Sequence, residues 1–149
     1  MSGKGGMEQT PFEALRKGIV SSVNRKNCTA RVFFPDWDEK VSFDLPVMQK
    51  NTLNTKHYWM PEVDEQVICG FFANGTEEGV ILGSIYSETD KVPEEFLVSD
   101  DCDGVLFSDG TLIRYDVVNH ILLIDVKGEI EIKADKNIRA TSGENIYLN

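Results

Sequence analysis

The sequence predicts an all-β protein in two parts, a small barrel or sandwich followed by a series of repeated strands. Two observations support this prediction: short alternating segments fill the first half of the chain, and an eight-residue apolar repeat fills the last third. Apolar residues make up 41% of the 149 positions and charged residues 27%, which is typical of a folded domain. The longest apolar run has four residues, too few for a transmembrane helix.

A short helix is predicted before the first strand. Thr10 is a suitable N-cap, and Glu13, three residues later, completes a capping box. Phe12 and Leu15 would share one face of this helix, and Gly18 would end it. A helix of about two turns is unstable alone, so we expect it to pack on its own domain or on a partner.

Five strands are predicted in the following 70 or so residues. Their apolar residues alternate, and the last two strands are joined by a turn with Asn74 and Gly75 at its tip. Strands this short, with no long helix, favour a small barrel or sandwich. The predicted strands are residues 19–23, 29–34, 41–45, 66–72 and 80–86.

Four regions follow from these patterns. Residues 1–17 form an N-terminal segment with the short helix, and residues 18–87 form the barrel. Residues 88–104 are polar, contain a proline and are predicted to be a linker. Residues 105–149 carry the repeat.

The repeat places apolar residues at the same phase over four octads, so each octad predicts a strand with one buried face. Strands this short cannot bury that face within their own chain, because a single hairpin is marginal in water. We therefore expect several copies to intertwine around one axis, most naturally as a trimeric β-helix. An ordinary antiparallel meander is the alternative. The predicted trimer core is Leu122, Ile124, Val126, Ile130, Ile132, Ala134, Ile138, Ala140, Ile146 and Leu148.

Charge and cysteine content argue against nucleic-acid binding, a disulfide framework and a zinc ribbon. The chain has 25 acidic and 15 basic residues, a net charge of -10, which argues against neutralising nucleic-acid phosphates. Cys28, Cys69 and Cys102 are an odd number at wide spacing, which fits neither a disulfide framework nor a zinc ribbon. The N-terminus lacks an apolar signal-peptide core, and the cysteine pattern suggests folding in a reducing cytoplasm.

Several stretches resemble the baseplate assembly protein V family, the central spike of contractile phage tails and related injection particles. Tyr58-Trp59-Met60-Pro61-Glu62 and the glycine-rich stretch at residues 79–86 are fairly specific, and the octads after them strengthen the likeness. The resemblance covers about residues 15 to 149. Other matching stretches are residues 18–20, 30–32, 45–47, 63–67, 103–104 and 109–111.

The resemblance implies an N-terminal five-stranded barrel of the oligonucleotide/oligosaccharide-binding (OB) type, followed by an intertwined trimeric β-helix needle. It also implies a structural role in the baseplate of a virion or a tail-like particle such as a bacteriocin. The implied partners are the hub and tail-tube proteins and the target cell envelope, and the implied place of synthesis is a bacterial cytoplasm. Two further copies of the chain follow from the octads. We expect a separate tip protein to cap the last strand, and a short uncapped needle is the alternative. The candidate hub contacts are Phe12, Leu15, His57, Tyr58 and Trp59.

Two other functions are weighed against the spike. An OB-type barrel often binds single strands on aromatic side chains, and Trp37, Tyr58 and Trp59 would be the platform for nucleic acid or glycan. The acidity favours packing roles for these rings instead, and no nucleic acid is expected. A cell-wall-degrading enzyme lacks any recognisable nucleophile motif or placed carboxylate pair, so we expect no catalysis.

Neither metal nor cofactor is expected. Some relatives hold iron at the needle apex with a His-x-His pair, whereas this chain has only His57 and His120. Asp100, Asp101, Asp103 and Asp109 lack the spacing and distal glutamate of a calcium loop, so a solvated acidic segment is expected. Weak cation binding by such clusters near a trimer axis is left open.

Overall fold

The computed structural model describes residues 14–72 and 78–149. The chain divides into two compact units, Met1–Lys91 and Val92–Asn149. Apart from one short 3₁₀ helix, the regular structure in the described ranges is β. None of the helices there is long and apolar enough to cross a membrane. The first unit contains β1 (Leu15–Asn24), β2 (Thr29–Phe34), β3 (Lys40–Val41), β4 (Leu45–Pro46), β5 (Gln66–Phe71) and β6 (Gly79–Ser84).

The strands of the first unit close into a barrel. The sheet order is β3-β2-β1-β5-β6, all neighbours are antiparallel, and β4 pairs with β2 beyond β3. The chain after β4 then returns to β6 through a parallel bridge between Val47 and Ile81, where the Met48 N–H donates to the Ile81 carbonyl at 2.9 Å. This bridge joins the two ends of the sheet.

Alternation along the strands fills the barrel core. In β2, Ala30, Val32 and Phe34 point inward and are at most 2% exposed, whereas Arg31 between them is exposed. This is the face that the sequence pattern predicts for a half-buried strand. The remaining core residues are Val20, Leu45, Val47, Val67, Cys69, Phe71 and Ile81.

The predicted N-terminal helix is wrong where the structure describes it. Leu15 and Lys17 lie in β1 and pair with Gly70 and Ile68 of β5. Gly18 does not end a helix; it lies under β2, where a Cβ would contact Val32 and approach the Phe33 carbonyl oxygen at 2.8 Å. Non-local strand pairing thus overrides the local capping signal. Phe12 and the cap residues lie outside the described residues.

The predicted third strand, residues 41–45, is split into β3 and β4. The Val32 N–H donates to the Ser42 hydroxyl at 2.9 Å instead of to a backbone carbonyl, while the Ser42 N–H donates to the Val32 carbonyl at 2.8 Å. A side chain therefore interrupts the ladder, and pairing resumes at Leu45 opposite Ala30. The barrel sheet has six strands by this count instead of the predicted five.

The second unit begins with the 3₁₀ helix (Glu94–Phe96) and continues with β7 (Cys102–Leu106), β8 (Leu112–Asp116) and β9 (Ile121–Asp125). These three strands form an antiparallel meander in the order β7-β8-β9. Residues 102–125 thus pair within the chain as an antiparallel meander, the arrangement that the sequence analysis gave as the alternative, and β7 starts inside the segment predicted as a linker. Tight turns are the cause: Gly110 has a φ of 88°, and Asp109 Oδ1 accepts the Thr111 N–H at 2.8 Å.

Residues 126–149 contain no helix or strand and pair with no strand of the described chain. The chain bends at residues 127–128, 135–136 and 143–144, so the bends recur every eight residues. The octad period of the sequence is thus also a geometric period of the backbone.

Candidate functional site

The three-stranded sheet of the second unit carries an exposed apolar face. In the antiparallel register Ile113 lies between Val105 and Ile124, and Tyr115 lies opposite Leu122, so these side chains share one face. All five are between 40% and 62% exposed. We call this set (Val105, Ile113, Tyr115, Leu122 and Ile124) the open face.

The opposite face of the same sheet is covered by the chain that precedes it. Leu112 and Asp116 are buried there, and the Arg114 guanidinium donates to the Glu95 carbonyl at 2.7 Å. Gly104 in β7 leaves room for this packing, because a Cβ there would approach the Phe96 ring at 3.1 Å. One side of the sheet is thus a small core, and the open face is without a partner among the described residues.

The exposed apolar series continues beyond β9 at the phase of Leu122 and Ile124. Ile130, Ile132 and Ile138 are between 61% and 70% exposed, and Leu148 is 92% exposed. So many exposed aliphatic side chains in one short segment are unusual on a monomer and mark an interaction surface. The predicted trimer-core residues are thus exposed in one chain, except Val126, which is half-buried. They are Leu122, Ile124, Val126, Ile130, Ile132, Ala134, Ile138, Ala140, Ile146 and Leu148.

The predicted hub contacts differ in how far their side chains are exposed. Leu15 and Tyr58 are each 61% exposed, and His57 is also exposed. Trp59 is only partly exposed, packs against the barrel core, and its ring N–H donates to the Met48 carbonyl at 2.7 Å. Trp59 is therefore held by its own domain. Phe12 lies outside the described residues.

Leu15 has an apolar neighbour that the sequence analysis missed. Both its side chain and that of Leu82 flank Gly70, where a Cβ would lie 3.7 Å from Leu15 Cδ2 and 3.5 Å from Leu82 Cδ1. Leu82 is 37% exposed, so the two leucines form an outer patch on β1, β5 and β6. The alternation along β6 could have indicated this neighbour. Ile81 points into the core, so Leu82, the next residue, points outward.

The aromatic side chains considered for stacking do not form one platform. Trp37 packs edge-to-face against Phe34 and Phe71 at 5.8 and 5.9 Å between ring centroids, and the Arg16 guanidinium lies 3.9 Å over its ring. The Tyr58 hydroxyl donates to the Arg25 carbonyl. The predicted packing role is confirmed for Trp37 and Trp59, which both contact the core cluster.

Trp37 also lines a cleft of about 210 Å³ at the β2–β3 end of the barrel, together with the core residue Phe34. Lys40, 5.1 Å from the Trp37 ring, is part of its wall. The cleft is smaller than the pockets that enclose drug-sized ligands. The other lining residues are Val41, Ser42 and Phe43.

Two carboxylates in the second unit have turn-forming roles. Asp116 accepts from the Asn119 side-chain amide at 2.9 Å, from the Asn119 N–H at 3.0 Å and from the Ser99 hydroxyl at 2.8 Å. These donors lower the pKa of Asp116 to about 2. The backbone N–H and hydroxyl of Thr111 likewise lower the pKa of Asp109.

The other titratable candidates do not assemble into a site. Within residues 14–72 and 78–149, no group of three or more His, Cys, Asp or Glu side chains is arranged to hold a metal ion. His120 occupies the turn after β8 with a φ of 57°, and His57 donates its N–H to the Asn51 carbonyl. Burial raises the pKa of the Cys69 thiol to about 12, which suits a core residue and not a nucleophile.

Comparison with known proteins identifies the barrel. Residues 16–86 match the family model described as the Type VI secretion system/phage-baseplate injector OB domain. The match begins at the second residue of β1 and continues beyond the end of β6. This description names a domain of phage baseplates and Type VI secretion injectors. No curated protein gives a significant match to the chain.

Proposed function

We propose that the chain is the central spike of a contractile injection particle, because residues 16–86 match the family model described as the Type VI secretion system/phage-baseplate injector OB domain. In this role three copies form one rod. The OB barrels join it to the tube and hub, and the octads form the needle that leads penetration of the target envelope. The particle is a virion or a related tail-like assembly.

The observation that supports this proposal best is the exposed apolar series after the barrel. The open face and the octad residues that follow it expose large aliphatic side chains at a fixed phase. Burying each such side chain contributes on the order of 1.5–3 kcal/mol, so assembly around a common axis is strongly favoured. Closed rotational symmetry gives every copy the same surroundings and hides the free strand edges.

The surroundings of the titratable and aromatic side chains also agree with a structural role. The carboxylates with lowered pKa values cap turns, and the most strongly shifted thiol is in the barrel core. The aromatic rings that a nucleic-acid platform would need are packed or hydrogen-bonded within the barrel. We therefore propose neither catalysis nor nucleic-acid binding for this chain.

The mass of the full chain in solution tests the proposal. Light scattering coupled to size exclusion is expected to give three times the chain mass at micromolar concentration. A monomeric mass at every concentration that can be measured would overturn the proposal of a trimeric spike. A rod extending from a compact head in electron micrographs is the expected shape of the trimer.

For docking to the hub we propose the outer patch of Leu15 and Leu82. Both leucines are exposed on strands that the barrel itself holds rigid. Leu15→Asp combined with Leu82→Asp is expected to leave a soluble trimer that no longer enters particles. Lys17→Asp, on the same strand, is the control for added negative charge. Truncation tests should end at residue 13, because Leu15 and Lys17 are paired with β5.

A further inference from the structure

Two neighbouring loops at one end of the barrel carry four exposed basic side chains. Arg25 and Lys26 lie in the turn between β1 and β2. Lys50 and Lys56 lie in the connection between β4 and β5. The Tyr58 hydroxyl donates to the Arg25 carbonyl at 3.2 Å, so the connection is hydrogen-bonded to the turn. We call the four basic residues the basic edge.

The basic edge differs in charge from the chain as a whole. The net charge is -10, yet residues 14–35 and 45–61, which contain the basic edge, include no Asp or Glu. Asp44, just before β4, is already paired with Arg31 at 2.7 Å. Among the residues that the structure describes, no ion pair involves the basic edge. At physiological salt the Debye length is about 8 Å, so distant acidic residues hardly weaken its attraction for an external anion.

The connection between β4 and β5 forms a projecting loop with an apolar residue at its tip. Thr52 and Lys56 form an antiparallel bridge, so the chain turns back between them. The His57 N–H donates to the Asn51 carbonyl at 3.0 Å and extends this pairing. Leu53 lies in the turn and is 80% exposed. Backbone contacts thus hold the leucine on a preformed projection beside the cations.

Cations and apolar side chains on the same loops fit the surface of an anionic lipid bilayer. Lys and Arg are attracted to headgroup phosphates, and their long side chains keep the charge among the headgroups while the apolar stem lies deeper. Leu53 would enter the boundary between headgroups and acyl chains. Tyr58, which is 61% exposed, has the apolar ring and polar hydroxyl that favour this interface, and Met48 is 48% exposed on the same connection.

Two other anionic partners fit these loops less well. An acidic protein surface would neutralise the cations but provides no general place for a projecting leucine. A single strand of nucleic acid would stack its bases on aromatic rings. Of the three rings considered for stacking, Trp37 and Trp59 pack against the barrel core, so only Tyr58 would be available.

We propose that the basic edge and Leu53 bind the surface of an anionic phospholipid bilayer, with the four cations at headgroup phosphates and the leucine inserted between headgroups. The site is complete in one chain, so it goes beyond the proposed spike and needs neither the trimer nor the needle. Leu15 begins β1 and Arg25 follows its last residue, which places them roughly 30 Å apart along the strand. The proposed hub contact at Leu15 and the lipid surface therefore do not compete.

Co-sedimentation of the full chain with lipid vesicles tests the proposal. Vesicles of three parts phosphatidylcholine to one part phosphatidylglycerol are compared with vesicles of phosphatidylcholine alone. At about 0.1 M salt the partition coefficient is expected to be at least about tenfold higher for the anionic vesicles, and to fall by at least about tenfold at 1 M salt, where the Debye length is about 3 Å. Equal binding to both kinds of vesicle, or binding to neither, would overturn the proposal.

Neutralising part of the basic edge tests where the charge acts. Lys50→Gln with Lys56→Gln is expected to lower partitioning into the anionic vesicles by roughly tenfold to thirtyfold. Lys17→Gln with Lys136→Gln removes the same charge from exposed positions outside the basic edge and should stay within about twofold of the parent. Equal losses in the two double variants would show that only the total charge matters and would overturn the site. Melting temperatures within about 2 °C of the parent show that the variants are folded.

A second variant separates insertion into lipid from simple attraction to an anion. Leu53→Asn is expected to lower partitioning into the anionic vesicles by about fivefold, because the inserted apolar side chain is lost. Leu97→Asn, at a leucine 62% exposed outside the barrel, is the matched control and should bind as the parent does. Unchanged binding of the Leu53→Asn protein would overturn the insertion. Titrations with polyglutamate and with a thymidine oligonucleotide test the other two sources of anionic charge, and tighter binding of either than of the anionic vesicles would overturn lipid as the ligand.

Discussion

The side-chain amide of Gln49 hydrogen-bonds both backbone groups of Trp59. Its Nε2 donates to the Trp59 carbonyl at 2.9 Å, and its Oε1 accepts the Trp59 N–H at 2.9 Å. The same Nε2 lies 3.3 Å from Cys28 Sγ, next to the barrel core. One side chain therefore replaces a neighbouring strand and fixes the long connection between β4 and β5 on the barrel.

Gln49→Leu should lower the free energy of unfolding by about 1–3 kcal/mol, because two partly buried backbone groups of Trp59 lose their partner. Leucine keeps most of the side-chain volume, so the loss reports hydrogen bonding more than packing. Urea unfolding followed by tryptophan fluorescence measures the change. Lys50→Leu, at the exposed neighbouring position, should stay within about 0.5 kcal/mol. Equal stability of the two variants would contradict a clamp at Gln49.

Gly18→Ala should destabilise the barrel by roughly 1–3 kcal/mol, because a methyl group there would overpack β1 against β2. It would lie 2.8 Å from both the Phe33 carbonyl oxygen and the Phe34 ring. Gly83→Ala in β6 is the matched control, because nothing lies within 4 Å of its Cβ position. Thermal unfolding of the two variants side by side decides the point, and a Gly18→Ala protein as stable as Gly83→Ala would refute it.

How far the sequence determines the structure can be judged from β1 and the octads. Alternation predicted β2 residue for residue, because each inward side chain meets the same core. The helix predicted to continue through Leu15 is wrong at that residue, because the partner of Leu15 in the sheet is Gly70, far away in the sequence. Local patterns contain no information about such a distant partner.

In the octads the sequence predicted which residues share the apolar face but not how the strands pair. Their apolar phase was readable from the sequence, and Leu122 and Ile124 do lie on the exposed face of β9. Their pairing was not readable, because Gly110 and the turn after Asp116 direct β7, β8 and β9 into a meander instead. Whether a strand pairs within or between chains depends on turn geometry more than on periodicity.

Asp116→Asn is expected to lower the melting temperature at neutral pH. Ser99 and Asn119 donate hydrogen bonds to the two carboxylate oxygens of Asp116. An amide there would replace one of these oxygens by an N–H₂ group, which is itself a donor, so one of the hydrogen bonds would be lost. Because the pKa of Asp116 is about 2 in the folded chain and its ordinary value is 3.8, its contribution is complete above pH 3.8. That contribution is lost as the pH falls through about 2.

The difference between Asp116→Asn and the parent protein should therefore be constant above about pH 4 and shrink from there toward pH 2. Melting curves at half-unit steps of pH measure it. Asp100→Asn, an exposed position with the same change of charge, is the control. A difference that did not change over this range would show that Asp116 acts through its shape and not through its ionised form.

Ile138→Asp should abolish the trimer at micromolar concentration. Ile138 is 61% exposed in one chain, and in the proposed assembly three copies of it face one axis. Three carboxylates brought together without partners in an apolar interior cost far more than the interface at that layer contributes. Thr141→Asp, at an outward position of the same octad, introduces the same charge and should remain trimeric. Light scattering compares the two, and a trimeric Ile138→Asp protein would show that this series does not face the interior of the assembly.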